Sequence, residues 1–526
     1  MATSTSVDHD REHAARVLGE AWAEVLGLET APLPHENFFD LGGDSLLAVR
    51  IAARASEQGL ECSGRDVVER QTLDELAEAV CRKAAATAAR ERPEAAPSGG
   101  EVPLLPAQQR WLDGDIPEVD YFNLDVLFTC PAGVRLEHLR AVAAAMLRRH
   151  EALAMRYVRS DGRWVARPVP VDDALVEAAV EERRLPGDEE ELAVELERAH
   201  RSLSLAEGRI FRLVHFEDGD APGRLFVLVH HLTADGVSMT IVADDLETAV
   251  VAALRGEPIE LPPATPPRLF AEEMAEWSRS PEAAEHAERW LAFPWREVAP
   301  LPVDRDGRGF LPSNRTARET LDEETTAKLM RSRDRTGPTA HDAVLGAVLL
   351  AVAEWSGLGT HLVDVYGHNR DGGLDLTRTV GYVQSTYPVV VRVDPEAAAA
   401  DALEDVSRQL ASVPSPASGF DALRYLPGDP HGLRGLPAAD IRHNFRGGLA
   451  RVLERKGSLL READEETILN RSPLQTERYK LMIEGDVLDG CLVVGIRYST
   501  ERYADETVRG LVRRAADILT SAASER

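Results

Sequence analysis

Cysteine is scarce. The 526 residues contain four, Cys62, Cys81, Cys130 and Cys491, scattered and without paired metal-ligand spacing. That excludes a disulfide framework and a clustered metal site, and it fits a reduced, cytoplasmic protein. Positive charge is also short, with 60 Lys and Arg against 89 Asp and Glu, giving a net charge of -29 and a pI near 5.0. Such a balance argues against nucleic acid or an anionic membrane as partner. Long apolar runs are missing: the most apolar stretch, Ala343 to Ala353, is too short to span a bilayer and is closed by Glu354. The N-terminus lacks the basic and apolar regions of a signal peptide. No short-period repeat stands out, and no nucleotide site is visible.

What is present is organised around His230-His231-Leu232-Thr233-Ala234-Asp235-Gly236. Leu225 to Val229 reads as a buried strand, and from Val237 the apolar spacing turns helical. The histidines therefore fall where a strand gives way to a helix, with a tight turn expected at Gly236. A neutral imidazole there can take or give a proton near neutral pH. Asp235 can cap the helix, orient a ring or anchor an arginine.

The length suits one small domain and one large one. Arg11 to Leu28 carries Val17, Leu18, Ala21, Trp22, Val25 and Leu26 on one helical face. A second helix is expected from Asp44-Ser45, and Thr72-Leu73-Asp74-Glu75 opens a third with a capping box. Residues 85–101, rich in Ala, charge and Pro, read as a flexible linker. From Val102 the pattern is that of a large α/β unit. Strands are expected at Asn123–Thr129, Leu225–Val229, Val389–Val393 and Cys491–Tyr498, and helices at Leu136–Arg149, Ala343–Trp355 and Glu506–Leu519. A Pro- and charge-rich break, Pro294 to Asn314, divides this unit into lobes of about 102–292 and 315–522.

Phe38-Phe39-Asp40-Leu41-Gly42-Gly43-Asp44-Ser45-Leu46 resembles the attachment motif of a peptidyl carrier domain of nonribosomal peptide synthetases, over residues 8–84. The resemblance implies 4′-phosphopantetheine on Ser45, flanked by Gly43 and Asp44 and added by a phosphopantetheinyl transferase. A serine hydroxyl at a helix start, beside free backbone donors, suits a phosphodiester. The larger unit resembles the condensation-domain superfamily, closest to its epimerisation branch. Pro103 to Trp111, His230 to Ser238, Gly367-His368-Asn369-Arg370-Asp371, Arg378-Thr379-Val380-Gly381-Tyr382, Ser418 to Leu426 and His443-Asn444-Phe445-Arg446-Gly447 follow its motifs in order. The implied overall fold is α+β: a small helical-bundle carrier, then two chloramphenicol-acetyltransferase-like lobes with a tunnel between them.

Three departures stand out. Tyr366 holds the place of a glutamate that the branch uses in proton transfer, Met239 that of a tryptophan, and Tyr382 that of a tryptophan or phenylalanine. Inverting an α-carbon needs a base on one face and a donor on the other, and a phenol donates more readily than it abstracts at pH 7. The resemblance implies proton transfer by His231, support by His230 and an Asp235–Arg370 pairing across the lobes, while Tyr366 stays open as an acid partner, a pocket wall or the mark of a changed reaction. Gly236 and Asn444 are further structural or tunnel candidates. Three functions stay open: epimerisation of a carrier-bound aminoacyl or peptidyl thioester, condensation-type acyl transfer to an amine or alcohol, and non-catalytic recruitment. No adenylation domain is legible, so the acyl group is expected from a loading enzyme in trans, with a downstream condensation domain or acceptor amine as a further partner.

Overall fold

The computed structural model describes residues 4–28, 30–38, 41, 43, 45–60, 62–87, 100–330, 338–370, 374–414, 417–426, 429, 431–445, 458–465, 467–488 and 490–525. Asp44, with Phe39, Asp40 and Gly42 of the same motif, lies outside them. So do Asp371, Arg446, Gly447 and linker residues 88–99.

The N-terminal unit has helices α1 (Ser4–Leu26), α2 (Ser45–Glu57), α3 (Gly64–Glu69) and α4 (Leu73–Thr87). Trp22, Phe38, Ile51, Leu76 and Val80 build its core. Three helices were expected. The extra one, α3, has a single turn and a half, and its start is fixed by a Ser63–Asp66 capping box rather than by apolar spacing. Thr72 Oγ1 accepts the Glu75 N–H at the start of α4.

The remainder forms α5 (Pro106–Leu112), β1 (Asn123–Cys130), α6 (Leu136–Arg149), β2 (Met155–Ser160), β3 (Arg163–Pro168), α7 (Asp173–Ala179), β4 (Val180–Arg184), α8 (Glu189–His200), β5 (Phe211–Asp218), β6 (Ala221–His230) and α9 (Gly236–Arg255). After these come α10 (Pro267–Trp277), α11 (Pro281–Leu291), β7 (Asn314–Thr320), α12 (Glu323–Met330), α13 (Ala340–Ser356), β8 (Thr360–Gly367), β9 (Ser385–Arg392), α14 (Ala399–Ala411) and α15 (Ser418–Tyr425). The chain closes with β10 (Ile441–Phe445), β11 (Arg461–Glu462), β12 (Leu481–Leu488), β13 (Cys491–Ser499) and α16 (Asp505–Glu525). No helix among the described residues is long and apolar enough to cross a membrane.

Each lobe has its own sheet, ordered β11-β1-β6-β5-β4 in the first and β7-β13-β12-β10-β8-β9 in the second. In β6, Leu225, Val227 and Val229 face α6 and α9, while Phe226 and Leu228 face α8, so both sides are covered and the run reads as continuously apolar. The second sheet is different. Val363, Val365, Ile441, Ile483, Val494 and Ile496 pack on α13 and α16. The strand period of two then puts Asp364, Tyr366, Arg442, Asn444, Glu484 and Arg497 together on the opposite, polar face.

Two excursions of the second lobe hold the first. The β8–β9 loop lies over α9, where Arg378 pairs with Asp245 and Gly381 exchanges hydrogen bonds with Ser238. The other excursion adds β11 to the free edge of β1, and Asn123 N–H donates to Asn470 O at 2.9 Å. The lobes are thus interleaved in sequence, because β11 belongs to the second lobe's chain but to the first lobe's sheet. The carrier meets the same helix: Arg54 of α2 pairs with Asp244 of α9 at 3.1 Å, and Val49 joins the first lobe's core.

Candidate functional site

The site begins where β6 ends. His231–Thr233 forms a single 3-10 turn, Asp235 is the N-cap of α9, and Gly236 is its first helical residue. The expected tight turn is therefore three residues earlier than Gly236. Asp235 draws the chain into the helix by accepting the Ser238 N–H, which moves the turn upstream.

His230 is fully buried. Its Nδ1 accepts the Leu232 N–H at 3.1 Å, which leaves Nε2–H to donate to Val119 O at 3.0 Å. Burial pushes its pKa down to about 3, so the ring is a neutral strut with both nitrogens engaged. His231 is half-buried. Its N–H donates to Phe122 O at 2.8 Å, and its ring stacks on Phe122 with centroids 4.4 Å apart and 6° between planes. Tyr382, from the overlying loop, meets the ring at a tilt of 54° with centroids 4.9 Å apart. The Phe122 stack adds about 0.5–1.5 kcal/mol beyond area burial and fixes the ring plane. Burial, with Arg471 adding to it, lowers the His231 pKa to about 4 despite the opposing effect of Asp235. Its Nδ1 is buried and has no hydrogen-bond partner. A neutral imidazole of this kind can accept a proton.

Asp235 does not touch the histidine chemistry directly. Arg370 donates to both its oxygens, at 2.9 and 3.1 Å, and neither side chain is exposed by more than 1%. Ser238 Oγ and the Gln384 N–H complete the cage at 2.8 and 3.1 Å. Arg370 also donates to the carbonyls of His368 and Thr379, and the ring of His368 accepts the Arg370 N–H. His368 thus acts on the backbone of this loop.

Tyr366 is the penultimate residue of β8, on the polar face. Arg442 donates to its Oη at 3.0 Å and lies over its ring at 5.3 Å. Burial opposes the Arg442 charge, but Tyr366, Glu477, Tyr479 and Glu484 outweigh it and raise the guanidinium pKa. Asn444 stands two residues further on the same face, half-buried. The first lobe contributes Arg110, which pairs with buried Asp421 at 2.7 Å and reaches Tyr382 Oη at 3.4 Å.

His231 thus meets Tyr382 with ring centroids 4.9 Å apart, Tyr366 meets Arg442 at 3.0 Å, and Arg471, bridged to Phe122, acts electrostatically on His231, Tyr366 and Tyr382. Phe122, Arg442 and Arg471 were not singled out from the sequence. Arg442 was reachable, since it precedes Asn444 by two on a strand. Phe122 sits at the margin of β1, and Arg471 lies between β11 and β12 in an isolated bridge to it, both without a periodic signal.

In the carrier, Ser45 is the first residue of α2. The turn before it is tight: the Gly43 N–H donates to Phe38 O at 2.9 Å, and a Cβ at Gly43 would stand 2.3 Å from the buried Phe38 ring. Only glycine lets the chain pass there, so the turn presents Ser45 at a helix start, as a phosphodiester requires.

Comparison with known proteins gives a match to the condensation domain over residues 98–525 and to the phosphopantetheine attachment site over 16–80. A linear gramicidin synthase of Brevibacillus parabrevis is 33% identical over 94% of this chain, which spans only 6% of that protein. Among solved structures, the epimerization domain from the third module of tyrocidine synthetase B superposes with a TM-score of 0.70 at 22% identity, covering 82% of this chain and 99% of that one. The X-domain from teicoplanin biosynthesis gives 0.62 at 19% identity, covering 83% and 97%. At these identities the two structures establish the shared two-lobed fold. The chain belongs to the condensation-domain family, as a component of the nonribosomal peptide synthetase type with a 4′-phosphopantetheine carrier domain ahead of its condensation domain.

Proposed function

We propose that the protein carries an aminoacyl or peptidyl group on Ser45 and inverts its α-carbon between the lobes, with His231 and Tyr366 as the proton-transfer pair. The observation that carries this reading is the arrangement itself: a neutral imidazole on the first lobe and an arginine-bound phenol on the second, linked through Arg471 and Tyr382. When bound, the phosphopantetheine thiol holds the acyl group as a thioester, which acidifies the α C–H. His231 takes the α-proton and becomes imidazolium, and the C–H electron pair moves onto the acyl carbonyl. Tyr366 returns a proton to the opposite face, and Arg442 steadies the oxygen that has lost it. Proton exchange between the two residues restores the resting state. Asp235 and Arg370 act as positioning residues that keep the lobes in register. A phosphopantetheinyl transferase and an acyl-loading enzyme supply the arm and its cargo.

A second reading, amide or ester formation with His231 assisting the nucleophile, is favoured by one observation. Tyr366 stands where the epimerisation branch has a carboxylate, and acyl transfer makes no demand on that position. The third reading, recruitment without catalysis, leaves the neutral, half-buried His231 without a use.

The test is isotope exchange. Chain loaded with L-aminoacyl-pantetheines is incubated in D2O, and the mass and chirality of the released amino acid are read. Epimerisation gives deuterated D and L products. Tyr366→Phe is expected to cut D-product formation by about 100-fold or more while α-deuterium with retained configuration persists. No exchange with any substrate, but transfer to an added amine, would move the assignment to condensation. In a companion experiment, Ser45→Ala incubated with coenzyme A and a transferase should gain no mass, and any arm added there would displace the attachment site.

A further inference from the structure

Acidic residues outnumber basic ones 89 to 60 in this chain, yet arginines crowd the floor between its lobes. Three have carboxylate partners: Arg110 with Asp421 at 2.7 Å, Arg497 with Glu484 at 3.0 Å and Arg478 with Asp364 at 3.8 Å. Arg442 and Arg471 form no ion pair among the described residues. Arg442 spends one nitrogen on Tyr366 Oη, and its buried Nε has no hydrogen-bond partner. Glu477 acts on both guanidiniums from a distance, and its own Oε2 is unpartnered as well. Glu484, which pairs with Arg497, adds to Arg442, but neither carboxylate forms an ion pair with Arg442 or Arg471 among the described residues. Both residues are half-buried, and a partly desolvated guanidinium without a close counter-ion favours a ligand that completes the pair.

We propose that Arg442 and Arg471 form an anion station beside His231 and Tyr366, and that it takes a carboxylate borne by the carrier-bound group, so that the substrate class is an acidic aminoacyl or peptidyl thioester. The inference rests on the reading that the tethered acyl group reacts beside His231. Position fixes the class. Arg471 is bridged to Phe122, whose ring stacks on His231 at 4.4 Å, and Arg442 donates to Tyr366 Oη at 3.0 Å, so a group held by the two guanidiniums lies beside both residues, within the reach of an Asp or Glu side chain from the α-carbon. Planar guanidinium forks match a carboxylate in a bidentate way. The acyl carbonyl oxygen gains charge only transiently. It cannot neutralise the resting complex, whereas a carboxylate does.

The experiment separates binding from turnover. Full-length chain with Ser45→Ala is titrated calorimetrically with free, unreactive pantetheine amides of Asp, Glu, Asn and Gln at about 0.15 M salt. The acids are expected to bind at least tenfold more tightly than their isosteric amides, and Arg471→Gln should erase the difference. Equal binding of acid and amide by the parent chain, which needs no floor variant to read, would overturn the station. So would a preference that persists in both Arg471→Gln and Arg442→Gln. Equal binding, with Arg471→Gln slowing α-proton exchange on every substrate alike, would assign the guanidinium to the carbonyl oxygen instead. Acid preference without isotope exchange on any substrate supports the station and removes the epimerase reading.

Discussion

Asp235→Ala should lower the unfolding free energy by about 3–5 kcal/mol, the usual cost of stripping one partner from a buried ion pair. The carboxylate accepts from both Arg370 nitrogens, from Ser238 twice and from the Gln384 N–H, all in a region closed to water. Its loss strands a guanidinium with no exposure, an uncapped α9 and an unbonded amide together. Three of these donors come from the β8–β9 loop that also supplies Tyr382 to His231, so the variant should loosen the Tyr382–His231 contact as it unfolds. Denaturant unfolding by circular dichroism gives the number. The double variant Asp235→Ala, Arg370→Leu should recover part of the loss, since it removes the stranded charge. If Asp235→Ala is as stable as the parent, the interlobe pair does not hold the loop.

The extent to which the sequence disclosed this site follows from the range of the forces involved. Local signals worked well: Leu136–Arg149 is a helix with those same ends, and the Asn123 and Cys491 strands begin where alternation begins. Capping and strand-end chemistry placed His230, His231 and Asp235 at one strand-to-helix junction. Resemblance paired Asp235 with Arg370 across 135 residues, which no periodicity could do. Two kinds of contact stayed hidden. Phe122 reaches His231 because β1 and β6 pair in a register that sets Asn123 against His230. Arg471 arrives because an isolated antiparallel bridge sets it against Phe122, just before β1. Strand pairing between distant segments is a property of the whole fold, and no window of the sequence contains it. The short α3 escaped for a different reason: six residues are too few for a helical pattern to repeat.

His231→Ala should reduce α-proton exchange by about 10²–10⁴, the span typical of a lost general base, while costing the fold about the 0.5–1.5 kcal/mol of the Phe122 stack plus the half-buried ring area. The pH profile distinguishes this from a packing effect. Burial disfavours the imidazolium and brings the His231 pKa from 6.5 down to about 4, so the neutral, basic form persists to lower pH than in a free side chain. Exchange is therefore expected to stay level from neutral pH down to about 5 and to fall tenfold per unit below about 4. The residual rate of His231→Ala should not show that limb. Stability needs a separate reading over the same range. His200 and His230 are also held neutral, with folded pKa values of about 3 against 6.5, so the unfolded chain binds more protons as the pH drops through 6.5. Their contribution is complete above 6.5 and is lost progressively towards 3, so rates below pH 5 must be taken after brief pH jumps with the fold monitored in parallel. A rate that declines from pH 6.5 downward while the fold is intact would mean that the base is an exposed, unperturbed histidine, and His231 would then be a packing residue like its neighbour His230.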